Sequence, residues 1–156
     1  NEIYPRLVNE GILKKDLVNS IQKFIKKNLN LLKKENKYFC HGDLNLGNII
    51  SDGKSIWLID WELIHLNNFV YDVGYLWSHL WKAKRDFRQN LILKFLKKME
   101  KEKIGKFKIL FPVVSSFLAL GGIKFKEKKK VEAKKRRDFY SRVFENFFNF
   151  EKLIKL

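Results

Sequence analysis

His41-Gly42-Asp43-Leu44-Asn45-Leu46-Gly47-Asn48, followed by Trp57-Leu58-Ile59-Asp60-Trp61-Glu62, is the stretch on which the reading of this chain turns. Tyr38 to Cys40, just before it, is a short apolar run suited to a buried strand that ends at His41. Ile49 to Ser51 and Ser55 to Ile59 are two further short runs, and the Asp52-Gly53 pair between them predicts a hairpin. Such a hairpin returns Asp60 to the neighbourhood of Asn48. Asp43 and Asn48 then share one loop between strands, with Gly42 and Gly47 permitting tight backbone beside each.

Outward from this segment the pattern is helical. Leu13, Leu17, Ile21, Phe24, Ile25 and Leu32 recur at helical spacing and predict one amphipathic helix from about Asp16 to Lys34. Asp72 is placed to cap a helix running to about Lys84, and Asp86 to cap another with Phe87, Leu91, Phe95 and Met99 on one face. A third helix is expected over Phe107 to Leu120. A last one, from about Glu127, carries Tyr140, Val143, Phe144, Phe147 and Phe150 as an aromatic stripe, read as core packing.

The 156 residues, 46% of them hydrophobic, suffice for one unit with a real core, and two independent domains are not expected. The chain opens on Asn1 rather than Met, in what reads as a helical approach, so a fragment of a longer protein is expected. Ile109 to Ile123 is interrupted by Pro112, Ser115 and Ser116 and is read as a core helix, with no membrane span expected. Cys40 is the single cysteine, which excludes an internal disulfide framework and makes the cytoplasm the expected compartment. Cys40 itself is read as a small buried hydrophobe. His65 and His79 lack Cys or Asp partners at metal-ligand spacing, so no zinc site is expected.

The net charge of +16 is unevenly distributed. Residues 1–79 hold ten Lys/Arg against nine Asp/Glu, whereas residues 80–156 hold twenty-three against eight. Between His41 and Asp72 the sign reverses, with Asp43, Asp52, Asp60, Glu62 and Asp72 facing only Lys54. Of the basic residues 27 are Lys and six are Arg, which fits a solvated lysine surface better than a dedicated polyanion site. Nucleic acid is therefore not the expected partner.

Phosphoryl transfer needs few protein groups: a carboxylate for the proton of the acceptor hydroxyl, and hard oxygens to hold Mg²⁺ against the phosphates. Asp43 and Asn48 match the D-x-x-x-x-N spacing of kinase catalytic loops, and Asp60 brings a second oxygen ligand towards Asn48. HGDLNLGNII and LIDWE, with YDVG further on, resemble the motifs of the aminoglycoside phosphotransferases and the related choline, ethanolamine and sugar-alcohol kinases. Trp-Glu after Asp60, where protein kinases have Phe-Gly, favours that small-molecule branch. The motifs cover about residues 38–75.

The resemblance implies an α+β fold of the protein-kinase-like type, its C-terminal lobe only: mainly α-helical, with a short β-hairpin and a catalytic loop. Residues 1–156 are read as that single lobe, 38–75 as its catalytic loop, hairpin and metal-binding segment, and 76–156 as a helical subdomain. By the same resemblance Asp43 is the catalytic base, Asn48 and Asp60 are magnesium ligands, and His41 braces the loop. Asp72 would anchor the loop through backbone amides, a role that competes evenly with an ordinary helix cap. Glu62 is a candidate for the metal's water shell, with a solvated loop carboxylate as the rival reading.

The expected activity is transfer of the γ-phosphate of ATP to a hydroxyl of a small molecule, with Mg²⁺. The glycine-rich loop, strand lysine and helix glutamate of an N-terminal ATP-gripping lobe are missing, so little or no activity is expected of this polypeptide alone. Two other readings stand beside this one: a catalytically dead kinase-like binding module, and a basic nucleic-acid or membrane-surface binder. The acidic stretch over residues 41–72 is unexplained by the second. The acceptor itself is not legible: resemblance to aminoglycoside kinases implies a cationic compound, the basic helical half weakens that option, and a neutral or anionic hydroxyl compound stands at least level with it.

Overall fold

The computed structural model describes residues 3–124 and 130–156. Three helices lead in: α1 (Ile3–Asn9), α2 (Lys15–Lys27) and α3 (Leu29–Glu35). The single helix expected over 16–34 is broken at Asn28, whose ψ of 12° leaves the helical range. The Asn28 side-chain amide donates to the Phe24 carbonyl at 2.9 Å, a bond that competes with continuation of the helix.

Strand β1 (Tyr38–Cys40) pairs antiparallel with a strand not foreseen in the sequence, here β4 (His65–Asn67), with Cys40 opposite His65. Between them a 3₁₀ turn (Leu46–Asn48) leads into the expected hairpin of β2 (Ile49–Ser51) and β3 (Ile56–Leu58), Ile49 opposite Leu58. The Asp52 carboxylate closes the hairpin loop by accepting from Lys54 N at 2.8 Å and Ser55 N at 2.7 Å. Cys40 is buried, and burial pushes its thiol up to about 11.

Helices α4 (Tyr71–His79), α5 (Arg85–Lys98), α6 (Lys101–Lys124), α7 (Lys130–Glu145) and α8 (Phe150–Leu153) make up the remainder. Helix α4 stops five residues before the expected Lys84, because Arg88 takes over the carbonyls at its end. The buried Arg88 guanidinium donates to Leu80 O at 3.1 Å, to Trp81 O at 3.3 Å and also to Ala83 O. The helix expected over 107–120 is longer at both ends and contains Gly105, Pro112, Gly121 and Gly122. Its burial outweighs these poor helix formers, since Phe107, Leu110, Phe111 and Ala119 are fully enclosed. Its Lys101–Ile123 stretch, of mean hydropathy 1.5, is long and apolar enough to cross a membrane, and half of it is buried within the fold.

The last expected helix starts at Glu127, and residues 125–129 lie outside the described residues. Tyr140, Val143 and Phe144 of α7 and Phe147 after it are buried as a stripe, while the half-buried Phe150 opens α8. Trp77 meets Phe111 edge-on at 5.3 Å between ring centroids, and Phe107 stacks on Phe111 at 5.2 Å. A buried charge also serves this core. Glu35 at the end of α3 receives Lys106 of α6 at 2.8 Å, and that bond holds its carboxyl below the usual range against the effect of burial.

Candidate active site

The loop after β1 is fixed from beneath by His41, which is 1% exposed. Its Nε2 lies 2.8 Å from Ile59 O and its Nδ1 accepts from Asp43 N at 3.4 Å. Only the tautomer with the proton on Nε2 serves both bonds. Trp61 packs against the ring at 4.6 Å. One imidazole thus ties Asp43 to the residue that precedes Asp60.

Asp72 sits inside the first turn of α4 and does not cap it; Val70 holds the cap position, with no side-chain cap bond. Its carboxylate leaves the helix and accepts from His41 N at 2.8 Å and Gly42 N at 3.2 Å. Bonds of this charge-assisted kind are roughly twice as strong as neutral ones. Gly42 has φ of 86°, and a Cβ there would lie 2.1 Å from the Leu63 carbonyl oxygen, so only glycine fits. Gly47 has the close backbone expected of it without a positive φ: its amide donates to Asn45 Oδ1 at 2.8 Å to cap the 3₁₀ turn, and a Cβ there would lie 3.0 Å from that oxygen.

Asp43 is half-buried, and its two carboxylate oxygens have different partners. Tyr75 donates its hydroxyl to Oδ1 at 2.6 Å, while Asn48 Nδ2 donates to Oδ2 at 3.0 Å and to the Asp43 carbonyl at 2.9 Å. The Tyr75 bond is the main force that holds the Asp43 carboxyl below the usual range, outweighing burial, with Asn45, Asn48 and the charge of His79 assisting. Burial and the same bond push the Tyr75 phenol well above its ordinary value, so it remains a neutral donor. His79, one turn on, stacks on Tyr75 at 4.2 Å. Tyr75 was not singled out in the sequence, although it lies three residues after Asp72 and so shares its helix face.

Asn48 is 9% exposed, and with its nitrogen bonded to Asp43 its Oδ1 has no hydrogen bond among the described residues. Ile59 N donates to Asn48 O at 3.1 Å, which ties the residue before Asp60, just past the end of β3, to Asn48. Asp60 is exposed and has φ of 65°, alone among the described non-glycine residues in being positive. Backbone of this kind is uncommon outside glycine and clusters at functional sites. Its carboxylate makes no bond among the described residues. Glu62 is exposed in the following turn and is not drawn into the network.

His41, Asp43, Asn48 and Asp72 are thus joined by direct bonds, Asp60 is joined to them through Ile59, and Glu62 stands apart. Asn48 Oδ1 and the Asp60 carboxylate are hard oxygens without other partners among the described residues, a donor set that fits Mg²⁺, which is held by few protein oxygens plus phosphates and water. Among the described residues no three His, Cys, Asp or Glu side chains gather as a metal cage.

The phosphotransferase enzyme family model APH matches residues 7–98, which is more than half of the chain. The chain belongs to this family. The match runs from α1 to the end of α5, and so includes both small sheets and every residue of the network around Asp43. Family membership gives the mixed α+β architecture a kinase-like setting and the chain a general phosphotransferase role. No curated protein gives a significant match.

Proposed function

We propose that this phosphotransferase-family chain carries the reacting end of an ATP-dependent kinase that moves the γ-phosphate onto a hydroxyl of a small molecule. The observation that carries the reading is the Asp43 carboxylate, kept ionised by Tyr75 and bridged to Asn48. Asp43 orients the acceptor hydroxyl and receives its proton; Asn48 and Asp60 hold Mg²⁺, with ATP as donor. When bound, the ion neutralises charge on the phosphate oxygens. His41 and Asp72 position the loop: one ties Asp43 to the backbone at Ile59, the other fixes the backbone at residues 41 and 42. In this reading residues 38–75 are the catalytic segment, residues 76–156 form the helical subdomain, and the working compartment is the ATP-supplied cytoplasm.

The adenosine end of the donor needs a further grip. None of the four described strands carries a lysine, and they form two separate two-stranded sheets. Around them Phe39, Ile56, Trp57 and Leu63 are exposed, at 79%, 70%, 49% and 57%, and apolar surface of this extent marks an interaction face. We assign that face to a nucleotide-gripping lobe, and expect residues 1–156 alone to turn over little or not at all.

The test is a phosphorylation assay with Mg²⁺-ATP and a panel of alcohols, on the whole reading frame that contains these residues. Asp43→Asn should lower turnover by at least ~10²-fold in a protein that still folds. Equal turnover in the variant removes Asp43 from the chemistry.

A further inference from the structure

Tyr75, whose hydroxyl is bonded to Asp43, also forms the wall of a cleft of about 340 Å³ between α4, α6 and α7. That volume is within the range of small-molecule sites. Tyr75 and His79 face Phe117 and Gly121 across it, and Arg136 and Tyr140 close it from α7. Ser78, 1% exposed, lies in the cleft floor with its hydroxyl enclosed by the fold. We propose that this cleft binds the acceptor alcohol and selects one that carries an anionic group beside a flat ring. The word acceptor rests on the kinase reading; the ligand's chemistry does not.

Three observations meet here. The first is position, because a ligand against the Tyr75 ring lies one phenol away from the Asp43 carboxylate. The second is shape. The stacked Tyr75–His79 pair and Phe117, which is 64% exposed, offer ring faces for a planar group. The third is charge: among the described residues no acidic side chain lines the cleft, and the Arg136 guanidinium sits 5.8 Å from the Tyr140 ring and 5.9 Å from that of Trp81. Two ring faces hold that guanidinium in place, and a planar guanidinium matches a carboxylate or phosphate. The Lys82–Glu132 ion pair at 3.1 Å ties α7 to the turn after α4 and so steadies the Arg136 wall.

Direct binding tests this without any turnover. The probes are 4-(hydroxymethyl)benzoate, benzyl alcohol and 4-(aminomethyl)benzyl alcohol, titrated into the full chain while the amide NMR signals of His79 and Gly121 are followed. The benzoate should bind at least ~10-fold more tightly than the amine. Arg136→Gln should remove that preference and retain benzyl alcohol binding. Gly121→Trp places a side chain where a Cβ meets nothing within 4 Å, and it should block all three probes. If that variant does not fold, Phe117→Ala, at an exposed position, must weaken all three.

Equal or tighter binding of the amine overturns the proposal, as does a preference that survives Arg136→Gln. So does the absence of any shift at His79 and Gly121 up to ~10 mM probe. These outcomes leave the kinase reading untouched, and unchanged turnover in Asp43→Asn leaves the cleft untouched.

Discussion

Around Asp43 the chain is held by polar bonds between distant residues, His41 and Gly42 to Asp72 and Asp43 to Tyr75, whereas α6 and α7 are held by rings packed on rings. The first region leaves Ile56, Trp57 and Leu63 in solvent; the second encloses Phe107, Phe111 and Phe144 completely. Direction governs one and volume the other. A hydrogen bond fails when a single atom is moved, while a packed core fails when space is left empty. Single polar atoms of the site can therefore be altered with less loss of fold than packed rings of the helical half.

Emptying the helical core is the most severe way to sharpen that contrast. Phe111→Ala should cost about 3–5 kcal/mol in a denaturant titration, and a cost below ~1 kcal/mol would mean that the core relaxes around the gap. In the polar region the corresponding lesion is Gly42→Ala, where a methyl group would press on the Leu63 carbonyl at a φ of 86°. About 2 kcal/mol of stability should go, and turnover with it; a neutral result would show that direction does not govern the loop.

Tyr75→Phe removes one oxygen and leaves the volume, so its effect belongs to the site alone. Turnover should fall ~10-fold, and the acid limb of its pH profile should move to higher pH as the Asp43 carboxyl returns towards its ordinary value near ~3.9. The sign is that of a carboxyl depressed on folding. Its stabilising contribution is complete above the unfolded value and is lost as pH falls through the folded one, so the variant should lose less stability on acidification than the parent. An unmoved limb would dissociate Tyr75 from Asp43. The mildest change is Lys82→Ala: its pair with Glu132 is largely exposed and should be worth no more than ~0.5 kcal/mol by thermal melt.

What the sequence disclosed follows the same division. The aromatic stripe through Phe144 and Phe147 and the Asp-Gly hairpin are periodic or local signals, and both appear where expected. Strand β4 was illegible because His-Leu-Asn has no β-branched residue, and it exists only because β1 supplies its partner. Gly121 and Gly122 follow the expected helix end at Leu120 but lie inside α6. A Cβ at residue 122 would come 2.0 Å from the Tyr140 ring, so that glycine answers to a neighbouring helix and not to a turn. At the site, spacing brought Asp43, Asn48 and Asp60 forward. Tyr75 stayed hidden because nothing local distinguishes a tyrosine that reaches across to a loop from one that packs, and the two readings of Asp72 were separable only by where its oxygens go.

Cys40 gives this contrast a clock. Its thiol lies under the Asn68 carbonyl, one residue from His41, and is pushed up to about 11, so a thiol reagent at neutral pH finds it neither reachable nor ionised in the closed fold. Labelling must wait for β1 to peel away from β4. As the chain has one cysteine, the alkylation half-life counts those openings without an engineered label.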